Sequence, residues 1–139
     1  MLKKLLLSIA ILSLISACAV PRVKQDANPA YSAHQFSNHE LDISWKAENT
    51  DKGMRIDGTL KNVRPDLPYT SLQLTAKLLD ENGKELGKGT KTFDGRFTGS
   101  EPFLIEIPLA RPDSVKRVNF SYSYGTTEDF RRDDFNSVP

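Results

Sequence analysis

The chain has 139 residues, with 19 Lys and Arg against 18 Asp and Glu, a formal net charge of +1 and one cysteine. So even a balance gives no electrostatic drive toward nucleic acid, which favours strongly basic faces. A lone cysteine excludes an intramolecular disulfide.

The first segment carries the clearest signal. Lys3 and Lys4 precede an apolar run over residues 5–14, interrupted only by Ser8 and Ser13, and the run closes on Ile15, Ser16, Ala17 and Cys18. This is the layout of a secretory signal, and it is too short for a membrane span of about 20 apolar residues. Its last four residues resemble a bacterial lipobox. The resemblance implies cleavage before Cys18 and attachment of acyl chains, palmitate among them, to its thiol and new amino group. Several chains anchor stably where a single one does not. Ala19, not Asp, follows, and by the sorting rule of enteric-type lipoproteins this implies the outer membrane with the domain facing the periplasm. Losing residues 1–17 removes Lys3 and Lys4, leaving 17 basic against 18 acidic residues in a chain of 122. That length suits one domain with one core. With Cys18 used for lipid in an oxidising compartment, the fold must stand on packing alone.

Residues 18–39 hold two prolines and no sustained periodicity. They read as the lipidated cysteine followed by a flexible tether, spanning roughly 25 Å for about 20 residues of coil. Tyr31 and Phe36 are the two groups in it that could dock as a first edge segment. His34 and His39 are the only imidazoles. Two histidines in a tether, even with Glu40 and Asp42 nearby, do not supply three or four converging ligands. They read as solvated linker residues, with no metal.

From residue 40 to 125 a period of two takes over. Leu41, Ile43, Trp45 and Ala47 share one face, as do Met54, Ile56, Gly58 and Leu60, then Leu72, Leu74, Ala76 and Leu78. Phe103, Ile105, Ile107 and Leu109 form another face, and Val118, Phe120, Tyr122 and Tyr124 the last. A weaker strand covers 84–93, where Leu86 and Phe93 have opposite parity, which a bulge or an edge strand explains. Turn residues separate the strands, and Asn82-Gly83 is the strongest tight-hairpin signal. The expectation is an all-β fold: a small two-sheet immunoglobulin-like or fibronectin-III-like sandwich of six or seven antiparallel strands. A small barrel is the alternative.

Three stretches resemble FxLYD-type domains of bacterial envelope proteins. Residues 56–62 (IDGTLKN) are similar to their GtvkN strand, residues 78–86 (LLDENGKEL) to LYD-x-x-G-K, and residues 101–108 (EPFLIEIP) to pF.v.ip. Ala76 and Leu79 depart from the family's Phe and Tyr. The resemblance, over about residues 53–124, implies a sandwich and no catalytic residues.

Chemistry is sparse along the rest of the chain. Residues 83–90 fail the P-loop spacing, because Lys88 stands where the second glycine is required. No nucleophile has a base beside it, since both histidines lie outside the domain, and no carboxylate pair stands out. The chain therefore reads as non-enzymatic and without cofactor. Lys84, Lys88, Lys91 and Arg96 make one arm basic. They can touch anionic headgroups, but lysines on an edge strand also discourage aggregation. Trp45, Tyr122 and Tyr124 fall on core positions, leaving Tyr69, after Pro68, as the aromatic for an exposed contact. Residues 126–139 form a charged tail, either a loose end or a partner-binding peptide anchored by Phe130 and Phe135. The functional expectation is an interaction module in an envelope assembly, with an envelope protein as partner. Binding of a glycan or lipid headgroup is the alternative.

Overall fold

In the computed structural model, which describes residues 33–139, the period-two segments fold as eight antiparallel strands in two four-stranded sheets. The strands are β1 (His34–Ser37), β2 (Leu41–Thr50), β3 (Gly53–Asn62), β4 (Tyr69–Leu79), β5 (Glu85–Phe97), β6 (Ser100–Pro108), β7 (Arg117–Gly125) and β8 (Phe130–Ser137). Sheet A runs β1-β2-β3-β6 and sheet B runs β5-β4-β7-β8. A 3₁₀ turn at Pro112–Ser114 leads into β7, and no α-helix occurs among the described residues. Cys18, Tyr31 and the signal segment lie outside the described residues.

Alternation decides which side of each strand is buried. Leu41, Ile43 and Trp45 of β2, Ile56 and Leu60 of β3, and Ile105 and Ile107 of β6 meet Leu72, Leu74 and Leu78 of β4 and Phe120 of β7 in one core. Trp45 is its largest member. Its ring packs against Phe120 at 4.8 Å and Phe135 at 5.8 Å, so it touches sheet B from sheet A. On either side of Gly58 in the ladder stand Trp45 and Phe103. A β-carbon at Gly58 would collide with the Ser44 carbonyl oxygen and the Phe103 ring. The glycine is thus the space that lets two large aromatics flank one position. Gly89 does the same between sheets, since a β-carbon there would run into Ile105.

The strand count is eight, not six or seven, because both ends of the domain were longer than the periodicity indicated. β1 occupies residues assigned to the tether, and β8 occupies the tail. Phe36 of β1 and Phe135 of β8 stack at 3.8 Å with an interplanar angle of 2°, closing that side of the sandwich. Phe36 therefore docks as an edge segment. The Asn82-Gly83 turn also differs in detail. Gly83 alone takes positive φ, at 80°, and Asp80 accepts from the N–H groups of Asn82 and Lys84. This is a three-residue loop with its left-handed position on glycine. The opposite parity of Leu86 and Phe93 comes from a register shift: Leu78 pairs with Gly87 and Leu79 with Glu85, leaving Leu86 in a bulge.

Replacing Trp45 by Ala should destabilise the domain by about 3–5 kcal/mol in denaturant unfolding; an unchanged midpoint would place Trp45 outside the core. Deleting residues 126–139 removes the strand covering Phe120 and should lower the unfolding midpoint clearly, whereas a loose tail would leave it unmoved.

Candidate functional site

A buried polar cluster centres on Glu40. Asn38 Oδ1 accepts from the N–H groups of Glu40 and Leu41, each at 2.8 Å, and its Nδ2 donates to the Tyr122 hydroxyl at 2.7 Å. Tyr122 donates in turn to Glu40 Oε2 at 2.9 Å, and Tyr69 donates to the Glu40 carbonyl oxygen at 2.9 Å. The Tyr69 and Tyr124 rings stack at 3.9 Å. Burial, assisted by the Glu40 carboxylate, pushes the Tyr122 and Tyr124 hydroxyls far above the ordinary tyrosine range, and burial likewise raises Tyr69. The cluster ties the β1–β2 turn to β4 and β7. Sealed inside, it is a fastening between sheets and not a binding site.

Tyr69 is thereby corrected from an exposed contact to a fully buried one. As the first residue of β4 it turns inward, and its hydroxyl reaches a backbone acceptor. Lys84, Lys88, Lys91 and Arg96 do not form one surface. Lys84 lies in the β4–β5 turn. Lys88 and Arg96, opposite Lys77 and Thr70, face outward. Lys91, opposite the buried Leu74, points inward along the edge with its Nζ 5.8 Å from the Phe93 ring centroid. Phe135 packs on the core, so of the two tail anchors only Phe130, 63% exposed, is free for a contact. His34 stacks on Trp45 at 5.4 Å and covers it at the edge, unlike a solvated linker residue. No group of three His, Cys, Asp or Glu side chains converges among the described residues.

Two surfaces remain. One is a shallow trough on the outer face of sheet B. Ser121 and Ser123 on β7 form its floor, and Gln73 and Thr75 on β4 stand opposite Phe130 and Arg132 on β8. The other is the outer face of sheet A around Leu104 on β6, the last strand of that sheet. The sheet edges carry devices that discourage pairing. β1 has four residues, β5 has two register shifts and the inward Lys91, and β8 reads FRRDDFNS. β6 has nine residues and pairs with β3 without a register shift, and β5 lies against its outer edge, where β-carbons on Gly89 and Gly87 would stand 3.6 and 3.5 Å from the Glu106 and Pro108 carbonyl oxygens. Its inward side chains Phe103, Ile105 and Ile107 are buried, while Leu104 stands on the outer face at 45% exposure. Leu104 was not singled out by sequence reasoning. The available signal was an apolar residue at a solvent-phased position within residues 103–107.

No protein-family model matches the sequence, and no curated protein matches it. Solved structures with a similar layout include the yeast GGA1 GAE domain, at a TM-score of 0.47 and 14% identity, covering 76% of this chain and 97% of that one. The GAE domain of GGA2p from Saccharomyces cerevisiae gives 0.39 and 13%, covering 76% and 96%. At these levels neither structure bears on what this chain does.

The tyrosine shifts set a pH dependence. A hydroxyl held neutral in the fold keeps its proton after the unfolded chain, near pH 10, has released it. Stability from Tyr69, Tyr122 and Tyr124 is therefore intact below about pH 10 and falls as pH rises past it. Alkaline titration should show their tyrosinate absorbance arising together with unfolding; ionisation of all three with the fold intact would contradict the buried cluster.

Proposed function

We propose that this protein is a non-enzymatic bacterial lipoprotein, tethered through Cys18 to the outer membrane and facing the periplasm. Its immunoglobulin-like, FxLYD-type sandwich is an interaction module in an envelope assembly. The observation that carries this reading is the address in the sequence, Lys3 and Lys4 before an apolar run that ends on Ile15 to Cys18. On the domain, Leu104 stands exposed on the outer face of sheet A, and an exposed apolar side chain can anchor a protein partner without converging chemical groups. The signal segment and the lipobox-like run ending at Cys18 supply the address.

A second reading has its own observation. The trough of sheet B places exposed Phe130 beside Arg132, Gln73 and two serine hydroxyls, a mixture of ring face and hydrogen-bonding groups suited to a glycan. It replaces Tyr69 and the basic arm as the place where that alternative would act.

Cys18→Ser should move the protein from the membrane to the soluble fraction of cells, and retention in the membrane would defeat the anchoring reading. Leu104→Lys should lower co-purification of envelope proteins several-fold while leaving the unfolding free energy within about 0.5 kcal/mol of the parent, as expected for a surface substitution. Unchanged co-purification would remove β6 from the account.

A further inference from the structure

The outer face of sheet B has a relief set by side-chain length. β7 lies inside the sheet, between β4 and β8. Its Val118, Phe120, Tyr122 and Tyr124 are buried, so Asn119, Ser121, Ser123 and Gly125 face outward. Partners across a ladder share a face. Phe130, Arg132 and Asp134 of β8, opposite Gly125, Ser123 and Ser121, therefore stand on the same side. Two serines and a glycine between longer neighbours leave a groove along β7. Gln73 and Thr75 of β4 form one bank, and Phe130 and Arg132 the other. Past Ser121 the groove continues between Lys77 and Arg132. From Gly125 to Asn119 it runs roughly 20 Å, at about 3.4 Å per residue.

The cations at the far end of this groove are uncompensated. Lys77 of β4 stands directly opposite Lys88 of β5. At such positions the β-carbons are roughly 5 Å apart and like charges destabilise the sheet. Neither lysine forms an ion pair, and nor does Arg132. Asp133 and Asp134 border the same stretch. Asp133 is phased to the inner side of β8, opposite the buried Tyr122, and Asp134 accepts from Asn119 Nδ2 at 3.1 Å. On sheet A the outward cations are matched within the fold: Lys46 pairs with Glu48 at 3.0 Å and Arg55 with Asp57 at 2.9 Å. One Glu in place of either facing lysine would turn repulsion into attraction on sheet B. A local rule broken without a gain in stability is expected where a position serves binding.

We propose that the groove of sheet B binds an acidic glycan, with sugar rings lying along β7 and an anionic substituent, carboxylate or phosphate, on Lys77 and Lys88. Exposed Phe130 offers its ring to the apolar face of a sugar. Gln73, Arg132 and the serine hydroxyls supply donors and acceptors for the sugar hydroxyls. A lysine ammonium is a compact charge on a flexible stem, so the pair suits a substituent on a chain that other contacts hold in place. The groove is long and open along the strand, which fits a chain of sugars better than a single ring. This rests on the reading of the trough as a glycan site, and adds the charge of the ligand and the place where that charge goes. It leaves Leu104, on the opposite sheet, to a protein partner.

The test is binding of the full chain, purified in detergent, to an array of immobilised oligosaccharides. Acidic chains, carboxylated or phosphorylated, stand beside the same chains with the charge removed by esterification or dephosphorylation. The best acidic chain should bind at least about tenfold more tightly than its neutral counterpart. Lys77→Gln combined with Lys88→Gln should bring the two forms to equal affinity, and Phe130→Ala should weaken both. The double variant removes a repulsion, so its unfolding midpoint should be no lower than the parent's, which separates lost binding from lost folding. Equal binding of acidic and neutral forms by the parent would overturn the proposal and leave the glycan reading standing. Binding to no oligosaccharide would overturn both. An acid preference that survives in the double variant would also overturn the proposal. So would an oligoglutamate peptide that binds as tightly as the best acidic sugar, since the groove would then answer to charge alone.

Discussion

Everything in this domain depends on Trp45 reaching from sheet A to sheet B. No disulfide can form in a chain with one cysteine, so two amphipathic sheets must be held by contact alone. Trp45 meets Phe120 and Phe135 of the opposite sheet, and it is covered at the edge by His34. That arrangement needs an empty position beside the indole, which Gly58 supplies, with Phe103 on its far side. The same ring system fastens both terminal strands. Without Trp45 and Phe120 beneath them, the stacked Phe36 and Phe135 would have no floor. The tyrosine cluster then finishes the job with directional bonds, pinning Asn38 and Glu40 against Tyr69 and Tyr122.

The inner faces were legible in the sequence wherever a strand is buried on one side and wet on the other. Leu41 to Trp45, Met54 to Leu60, Leu72 to Leu78 and Val118 to Tyr124 all alternate as burial requires. The misread elements are those whose burial lacks that alternation. β1 is four residues long, too short to show a period. In β8, charges occupy both faces of the strand, and only Phe135 marks the inner side. Tyr69 follows Pro68 in a loop-like context, and its burial depends on the Glu40 carbonyl, an acceptor 29 residues away. Leu104 was hidden for a different reason: one apolar residue at a solvent-phased position between Phe103 and Ile105 carries no periodic signal of its own.

Every sheet edge is managed. A short strand, bulges, the inward Lys91 and dense charge make β1, β5 and β8 poor templates for pairing. β6 carries prolines at two outward-facing backbone positions and lies against Gly87 and Gly89 of β5. No group of metal-binding side chains converges among the described residues, and under the proposed lipid tether such a domain would act by what its surface binds.

The most direct measurement is photo-crosslinking in cells from position 104, with Cys18 intact and the same reagent at Thr75 on the opposite sheet as the comparison. The account predicts one dominant envelope protein captured from position 104 and not from position 75. Identical products at both positions, or lipid and glycan alone at position 104, would contradict it.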